Sequence, residues 1–353
     1  MSVKKILVPL DGSENAEKIG GWVAGIADPL HAEVELLTIV DPEKIELPDS
    51  TAEDNHMIPG RPGPYDKPGY DPGIGVSGAA GMVSGPLIAP GHGGHVEHAP
   101  AFGTQILDRV MEQAAAYVDR EAAQMNSIGV KASGKAIMGD PATEIVKHAE
   151  QEGCDLIAMA THRGSSLARG VLGSVTDRVL HSAHIPVMAV HPEHLSAFSG
   201  ATGQPDEILV PLDGSERSAT AVAIALDLAT AIGAEVVFAR VVQYPYYGVT
   251  AMDAAAFSSD YGFSFQRKAA ETSLEPFVAR ADKLGIKARS VVVTGAPAGR
   301  ILDLAKSMDR PLIVMSTRGE SGFKRWVLGS VTDKVVRSSG LPVLVVPPPA
   351  AKD

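Results

Sequence analysis

The sequence predicts an α/β fold of two tandem domains, each a doubly wound sheet of five parallel strands. Three observations lead to this prediction. One nine-residue segment occurs twice, a second repeated segment stands near the end of each half, and short apolar runs alternate with segments of helical periodicity. Continuous apolar strands that alternate with helices are typical of a parallel sheet with both faces covered.

The repeated segments indicate an internal duplication. ILVPLDGSE begins at Ile6 and returns, residue for residue, at Ile208. LGSVTD begins at Leu172 and returns at Leu328, and this spacing is 46 residues shorter than the spacing of the first segment. Copy one, residues 1–191, therefore contains extra sequence. Copy two is predicted at residues 207–348, after a polar linker at 192–206.

The extra sequence of copy one is an insert at about residues 42–103. Between residues 59 and 100, 19 of 42 residues are Gly or Pro, a composition that sustains neither a helix nor a strand ladder. This segment is predicted to be a long loop or lid. Copy two has a shorter, aromatic-containing insert at the same place, residues 244–265.

Strands and helices alternate within each copy, and copy two shows their order most clearly. Strands are predicted at 208–212, 234–242, 289–293, 311–315 and from 342, and helices at 218–232, 266–284, 299–307 and 330–338. In a doubly wound sheet, ligands bind at the carboxyl ends of the strands, where the winding reverses. The loops after the first and fourth strands are therefore the predicted binding loops.

Composition narrows the range of functions. A formal net charge of -11, with scattered basic residues, argues against a nucleic-acid partner. The single cysteine, Cys154, precedes an apolar run and is predicted to be a small buried side chain rather than a nucleophile. Neither a signal-peptide pattern nor an apolar stretch long enough for a bilayer is visible. We therefore expect a cytoplasmic protein without a membrane partner.

The loop after the fourth strand of copy two has the features of an anion site. Residues 316–322 include two glycines, which let backbone amides approach an anion, and Gly329 then opens a helix whose first N–H groups are unpaired. The hydroxyl groups of Ser330 and Thr332 and the charge of Arg318 would add to such a site. The alternative is that Ser330 is only a helix N-cap.

Both copies resemble the universal stress protein family. The resemblance rests on the ILVPLDGS segment, the Gly-x-Pro turn and the LGSVTD segment, which follow one another in family order in each copy. It implies a Rossmann-like strand order of 3-2-1-4-5 and a last strand that forms a dimer edge. In ATP-binding members, the motif G-x2-G-x9-G-S/T wraps the ribose and phosphates, and an Asp after the first strand lines the pocket.

The resemblance implies a set of nucleotide-binding residues in copy two. They are Pro211, Leu212, Asp213, Val241, Met315, Ser316, Arg318, Gly319, Gly329, Ser330, Val331 and Thr332. Val241 matches the position that packs on adenine. Ser316 replaces the first glycine of the motif, and its small side chain is expected to be tolerated.

Copy one has a corresponding set that departs further from the motif. It comprises Pro9, Leu10, Asp11, Ile39, Met159, Ala160, Arg163, Gly164, Gly173, Ser174, Val175 and Thr176. Ala160 and Arg163 replace the first two glycines, and Gly164 is displaced by one residue. Arg163 either fills part of the phosphate space or turns outward and adds charge. Copy two is therefore the predicted ATP site, and the two sites are expected to differ.

Weaker signals have simpler interpretations. Asp11 and Asp213 also fit ordinary turn and N-cap chemistry after a strand. His92, His95 and His98 are spaced three apart, but no second group of ligands supports a metal, and none is predicted. Residues 129–136 look like a P-loop without its Ser/Thr ligand, and they precede a strand instead of following one.

The sequence thus predicts a tandem universal stress protein that binds ATP, with Mg²⁺ on the phosphates, and that changes its partner or assembly state with nucleotide occupancy. The regulatory partner is unknown. No nucleophile–base set is visible, so no enzyme is predicted. The alternatives are a slow ATP hydrolase and an interaction module that needs no nucleotide. The last strands, 187–190 and 343–346, are expected to pair with each other or in a homodimer.

Overall fold

The computed structural model describes residues 3–45, 99–161, 172–191, 204–243, 260–317 and 328–348. Most of the predicted lid lies outside these ranges, and so do several residues singled out above. Those outside are His92, His95, His98, Arg163, Gly164, Arg318 and Gly319.

Copy one contains five strands and four α-helices in the described ranges. The strands are β1 Lys5–Leu10, β2 Glu33–Val40, β3 Ala132–Met138, β4 Leu156–Ala160 and β5 Val187–Val190. The helices are α1 Glu14–Leu30, α2 Ala99–Ser127, α3 Pro141–Gln151 and α4 Ser174–Ser182. Helix α2 begins inside the last residues of the predicted insert. Pro100 fits the first helical turn because no intrahelical bond needs its missing N–H there.

Copy two repeats this arrangement. Its strands are β6 Glu207–Pro211, β7 Glu235–Val242, β8 Ala288–Thr294, β9 Pro311–Ser316 and β10 Val343–Val346, and its helices are α5 Thr220–Ile232, α6 Asp260–Lys283, α7 Pro297–Lys306 and α8 Ser330–Ser338. All predicted elements are present, with ends within two residues of the prediction except at α6. That helix begins six residues earlier than predicted. Its first residues include glycine and aromatic residues, whose low helix propensity argued against a helix there.

One ten-stranded sheet runs through both copies, in the order β3-β2-β1-β4-β5-β10-β9-β6-β7-β8. Each half has the predicted order 3-2-1-4-5, and the strand pairs within each half are parallel. At the centre, β5 and β10 pair antiparallel, with Met188 opposite Leu344. The predicted pairing of the last strands therefore occurs within the chain.

Helices cover both faces of the sheet. One core layer lies under α1, α2, α5 and α6 and includes Trp22, Tyr117 and Phe238. The other lies under α3, α4, α7 and α8. Because side chains alternate along a strand, Ile6 enters the first layer and Leu7 the second. No helix in the described part of the chain is both long and apolar enough to cross a membrane.

Candidate functional site

Two cavities open at the carboxyl ends of the strands, one in each copy. Every predicted site residue within the described ranges lines the cavity of its own copy. Cavity one is lined by Pro9, Leu10, Asp11, Ile39, Met159, Ala160, Gly173, Ser174, Val175 and Thr176, and cavity two by Pro211, Leu212, Asp213, Val241, Met315, Ser316, Gly329, Ser330, Val331 and Thr332. The ends of the first, second and fourth strands thus meet the start of the last helix.

Asp11 and Asp213 each close a tight turn on the cavity wall. Oδ1 of Asp11 accepts a hydrogen bond from the N–H of Ser13 at 3.0 Å. Oδ1 of Asp213 accepts from the N–H of Ser215 at 2.9 Å and from its hydroxyl at 2.6 Å. Ser13 then caps α1 by accepting from the N–H of Ala16. The expected turn chemistry is therefore present, and both aspartates also face a cavity.

Glycine, not serine, stands at the cap of the helices that begin at the cavities. Gly173 and Gly329 are the N-caps of α4 and α8, and neither helix has a side-chain cap. The alternative that Ser330 is the N-cap is wrong, because Ser330 is the first helical residue. The N–H of Asp333 bonds to the carbonyl of Gly329 at 2.8 Å. The N–H groups of residues 330–332 have no intrahelical partner, and they give the cavity wall a partial positive charge.

Thr332 ties α8 to the end of β9. Its buried hydroxyl donates to the carbonyl of Ser316 at 2.8 Å. The proton of this hydroxyl is therefore directed at the backbone instead of the cavity. Ser330, whose side chain is exposed, is the hydroxyl that remains as a donor toward a ligand.

Sequence reasoning missed the residues that other elements contribute. In cavity one these are Ala16, Val40, Asp41, Lys44, Ile45, Pro141 and Ile145, and in cavity two Ser218, Ala239, Arg240, Val242, Gln243, Phe265, Gln266, Ala269, Ala270, Pro297 and Ile301. The repeated Gly-x-Pro turn was a visible signal for Pro141 and Pro297. Nothing in the local pattern marked Arg240, which stands beside the predicted Val241.

The two cavities differ in size and in charge. Their volumes are about 300 Å³ in copy one and about 650 Å³ in copy two, against roughly 300–1,000 Å³ for typical ligand pockets. In cavity one, the ammonium group of Lys44 lies 3.2 Å from a carboxylate oxygen of Asp41. Among the described residues that line cavity two, the cation is Arg240, at the end of β7.

Two groups of carboxylates and histidines in the described ranges lie close enough to ligate a metal, but a Lys or Arg side chain already pairs with the carboxylates of each group. The first is Glu35, His148 and Glu152, where the ammonium group of Lys5 lies 2.7 Å from Oε2 of Glu35. The second is Asp177, His181 and Asp333, where Arg337 bonds to both aspartates. The second group joins α4 of copy one to α8 of copy two.

The topology and the two cavities define a tandem Rossmann-like α/β protein. Residues 94–191 and 205–347 match the model of the Universal stress protein family. The chain belongs to this family and contains two of its domains.

Similar proteins agree with this assignment. Universal stress protein MJ0531 of Methanocaldococcus jannaschii is 32% identical over 144 residues, which is 40% of this chain and 82% of the relative. Universal stress protein YxiE of Bacillus subtilis is 32% identical over 145 residues, 40% of this chain and 98% of the relative. The match to a universal stress protein structure from Archaeoglobus fulgidus covers 98% of this chain and 99% of that protein, with a TM-score of 0.59 at 20% identity. That structural likeness concerns the fold alone.

Proposed function

We propose that this protein binds an adenine nucleotide, ATP, and that nucleotide occupancy alters its contacts with a regulatory partner in a stress response. Cavity two is the stronger site. The observation that carries the proposal is the convergence on one cavity of the strand ends, the Asp213 turn and the start of α8. This arrangement offers an apolar wall for a base and a partly positive helix start for phosphates.

The difference between the copies supports an unequal pair of sites. Cavity two has about twice the volume of cavity one. Copy one also has Arg163 where the family motif has its second glycine, a position at which copy two keeps Gly319, and a side chain there takes up space that phosphates need. Cavity one is thus proposed as a weaker or altered site.

Mg²⁺ would accompany the phosphates rather than occupy a protein cage. Magnesium is commonly held by one or two carboxylates together with phosphate oxygens. Asp213 is the carboxylate on the wall of cavity two, and its Oδ1 already accepts from Ser215. The residues present therefore fit an ion that is held mainly by the nucleotide.

We propose binding without rapid turnover. The residues that line cavity two in the described ranges include neither a histidine nor a cysteine, and Asp213 is engaged in its turn. A positioned base for attack by water is thus not apparent among these residues. Phosphate release faster than about one per second would favour the hydrolase instead.

Ligand binding can be tested with a matched pair of variants, Gly329→Val and Gly173→Val. Both add a branched side chain at the N-cap of the helix that begins at a cavity, at equivalent positions of the two copies. We expect Mg·ATP to raise the melting temperature of the wild type, since a ligand at 100 times its Kd adds about 2.7 kcal/mol. Gly329→Val should lose most of that shift, and Gly173→Val should keep it.

The outcomes separate the parts of the proposal. Equal losses in the two variants would contradict the inequality of the sites. A wild type that releases no adenine nucleotide when denatured, and that shows no shift with ATP, would contradict nucleotide binding in both copies. That result would leave the interaction module as the better description.

A further inference from the structure

Cavity two extends beyond the predicted nucleotide residues, along helix α6. The extension, which we call the side lobe, is lined by Arg240, Phe265, Gln266, Ala269 and Ala270. Arg240 comes from the end of β7 and the other four from the first half of α6. The lobe contributes one cation, an exposed aromatic ring and two small side chains to the wall.

In copy one the corresponding space is packed with apolar side chains. Helices α2 and α6 correspond at the 156-residue spacing of the LGSVTD repeat, so Val110 matches Gln266 and Ala114 matches Ala270. Val110 and Ala114 are buried with Val40 in a small cluster that Ile45, Ile106 and Met111 complete. In copy two a polar glutamine stands at the position of the buried Val110, and it lines the larger cavity.

Arg240 is held in a fixed position at the edge of the lobe. Its Nη1 donates to the hydroxyl of Ser273 at 2.6 Å, and that hydroxyl donates to the carbonyl of Ala270 at 2.6 Å. The guanidinium lies against the backbone of Gly214, where an added Cβ would be 2.7 Å from Nη2. Copy one has the buried Thr38 at the position of Arg240. The cation is therefore specific to copy two.

Cavity two thus has two features that attract anions, at separate places. Arg240 is on β7, and Ser316, next to the start of α8, is on β9, with β6 between them. Two strand spacings place these backbones about 10 Å apart. A ligand that uses both features carries two anionic groups.

We propose that cavity two prefers an adenosine nucleotide with a second phosphate on its ribose, at the 2′ or 3′ position, and that Arg240 binds this phosphate. This inference rests on the proposed nucleotide binding. With the base on Val241 and the 5′-phosphates at α8, the ribose lies by the Asp213–Gly214 turn, against which the guanidinium packs. A guanidinium binds phosphate through two parallel hydrogen bonds, which suits this position.

The test is calorimetric titration of the full chain with AMP, adenosine 2′,5′-bisphosphate and adenosine 3′,5′-bisphosphate. We expect one of the bisphosphates to bind the wild type about tenfold more tightly than AMP, as a charge-assisted phosphate contact would give. Arg240→Met should remove this preference, so that AMP and the bisphosphates bind the variant with affinities within about twofold of one another. Arg267→Met is the matched control. It removes the same charge from α6, at a residue that pairs with Glu271 at 3.2 Å and does not line the lobe.

A second variant keeps the test decisive if Arg240→Met unfolds. Ala269 is exposed on α6, so Ala269→Glu is compatible with the helix and places a carboxylate at the lobe. It should also abolish the preference for the bisphosphate. ATP binding without any preference for a bisphosphate over AMP would overturn this inference alone, as would a preference that survives both variants. If the wild type binds no adenine nucleotide, the proposed function fails with it.

Discussion

The two copies have the same fold but differ at equivalent positions at both ends of the sheet. Near the amino ends of the strands, copy one buries Glu35, which bonds to His148 at 2.9 Å and to Lys5 at 2.7 Å. Copy two has Val237 and Leu304 at the positions of Glu35 and His148. At the carboxyl ends, copy two has the half-buried pair of Arg240 and Ser273 where copy one buries Thr38 and Tyr117. The charged side chains that distinguish the copies at these positions, Glu35 and Arg240, thus lie at opposite ends of the strands.

The same backbone thus accommodates a buried carboxylate in copy one and an apolar side chain in copy two, and the carboxylate lies between His148 and Lys5. Burial by itself would raise the pKa of Glu35, but hydrogen bonds from Lys5 and His148 outweigh that effect and hold the pKa below its ordinary value. Glu35 is therefore a carboxylate in the folded protein at neutral pH. Its removal leaves the buried His148 without its partner and reduces the partners of Lys5 to Glu152.

The largest expected effect comes from Glu35→Ala. The change leaves the buried His148 without its carboxylate partner, while Lys5 keeps Glu152, and removing one member of such a buried pair costs roughly 3–5 kcal/mol. The matched change in copy two, Val237→Ala, removes only apolar atoms and should cost about 2 kcal/mol. Urea unfolding monitored by circular dichroism measures both.

A further variant sharpens this contrast. Glu35→Val combined with His148→Leu gives copy one the residues of copy two at these two positions. It should be much less destabilised than Glu35→Ala, because both members of the buried Glu35–His148 pair become apolar and Lys5 keeps Glu152. If Glu35→Ala costs no more than Val237→Ala, the polar cluster contributes nothing beyond its packing.

The next effect is a pH dependence that comes from Glu35. Since the pKa of Glu35 is lower in the folded than in the unfolded state, its contribution is complete above the unfolded value near 4.5. It is lost as the pH falls through the folded value. Glu35→Gln should therefore cost about 2 kcal/mol at pH 7 and progressively less below pH 4.5, measured as the free energy of unfolding against pH. Val237→Ala, which removes no titratable group, should show no such trend, and parallel curves would count against the prediction.

The smallest effect concerns the glycines of the two Asp-Gly-Ser turns. Gly12 and Gly214 both have left-handed backbones, with φ of 78° and 89°, so alanine at either position costs about 1–2 kcal/mol. Gly214→Ala should cost about 1 kcal/mol more than Gly12→Ala, because its Cβ displaces the guanidinium of Arg240 from Ser273.

Arg240→Met provides the control for that difference. In its background the two glycine substitutions should become equally costly by thermal unfolding. An excess that persists without the arginine would show that the turn itself, and not its neighbour, distinguishes the copies.

Much of the fold and part of the cavity walls could be predicted from local patterns. The repeated Asp-Gly-Ser and Leu-Gly-Ser segments define loops by their own residues, and the described members of the predicted set line the cavities. The prediction that Cys154 is buried is confirmed, and burial raises the pKa of its thiol to about 11. The nucleotide-binding role of the lining residues remains a prediction.

What could not be predicted depends on contacts between distant segments. Glu35 is visibly unusual inside an apolar strand, yet its partner His148 is 113 residues away and nothing in the sequence links them. Arg240 adjoins Val241, but strand alternation sends the two side chains to opposite faces. The residues around the Arg240 side chain then depend on which turn of α6 packs over β7, and no short-range sequence pattern encodes that packing.

The antiparallel pair of β5 and β10 has an evolutionary consequence. In a symmetric dimer of identical subunits, every substitution appears at both sites, so a change that suits one must be acceptable in the other. Covalent linkage of the two domains removes this constraint, while the joint between Met188 and Leu344 keeps them in a single sheet. One half of the molecule is thus free to lose or change a pocket while its twin preserves the ancestral one.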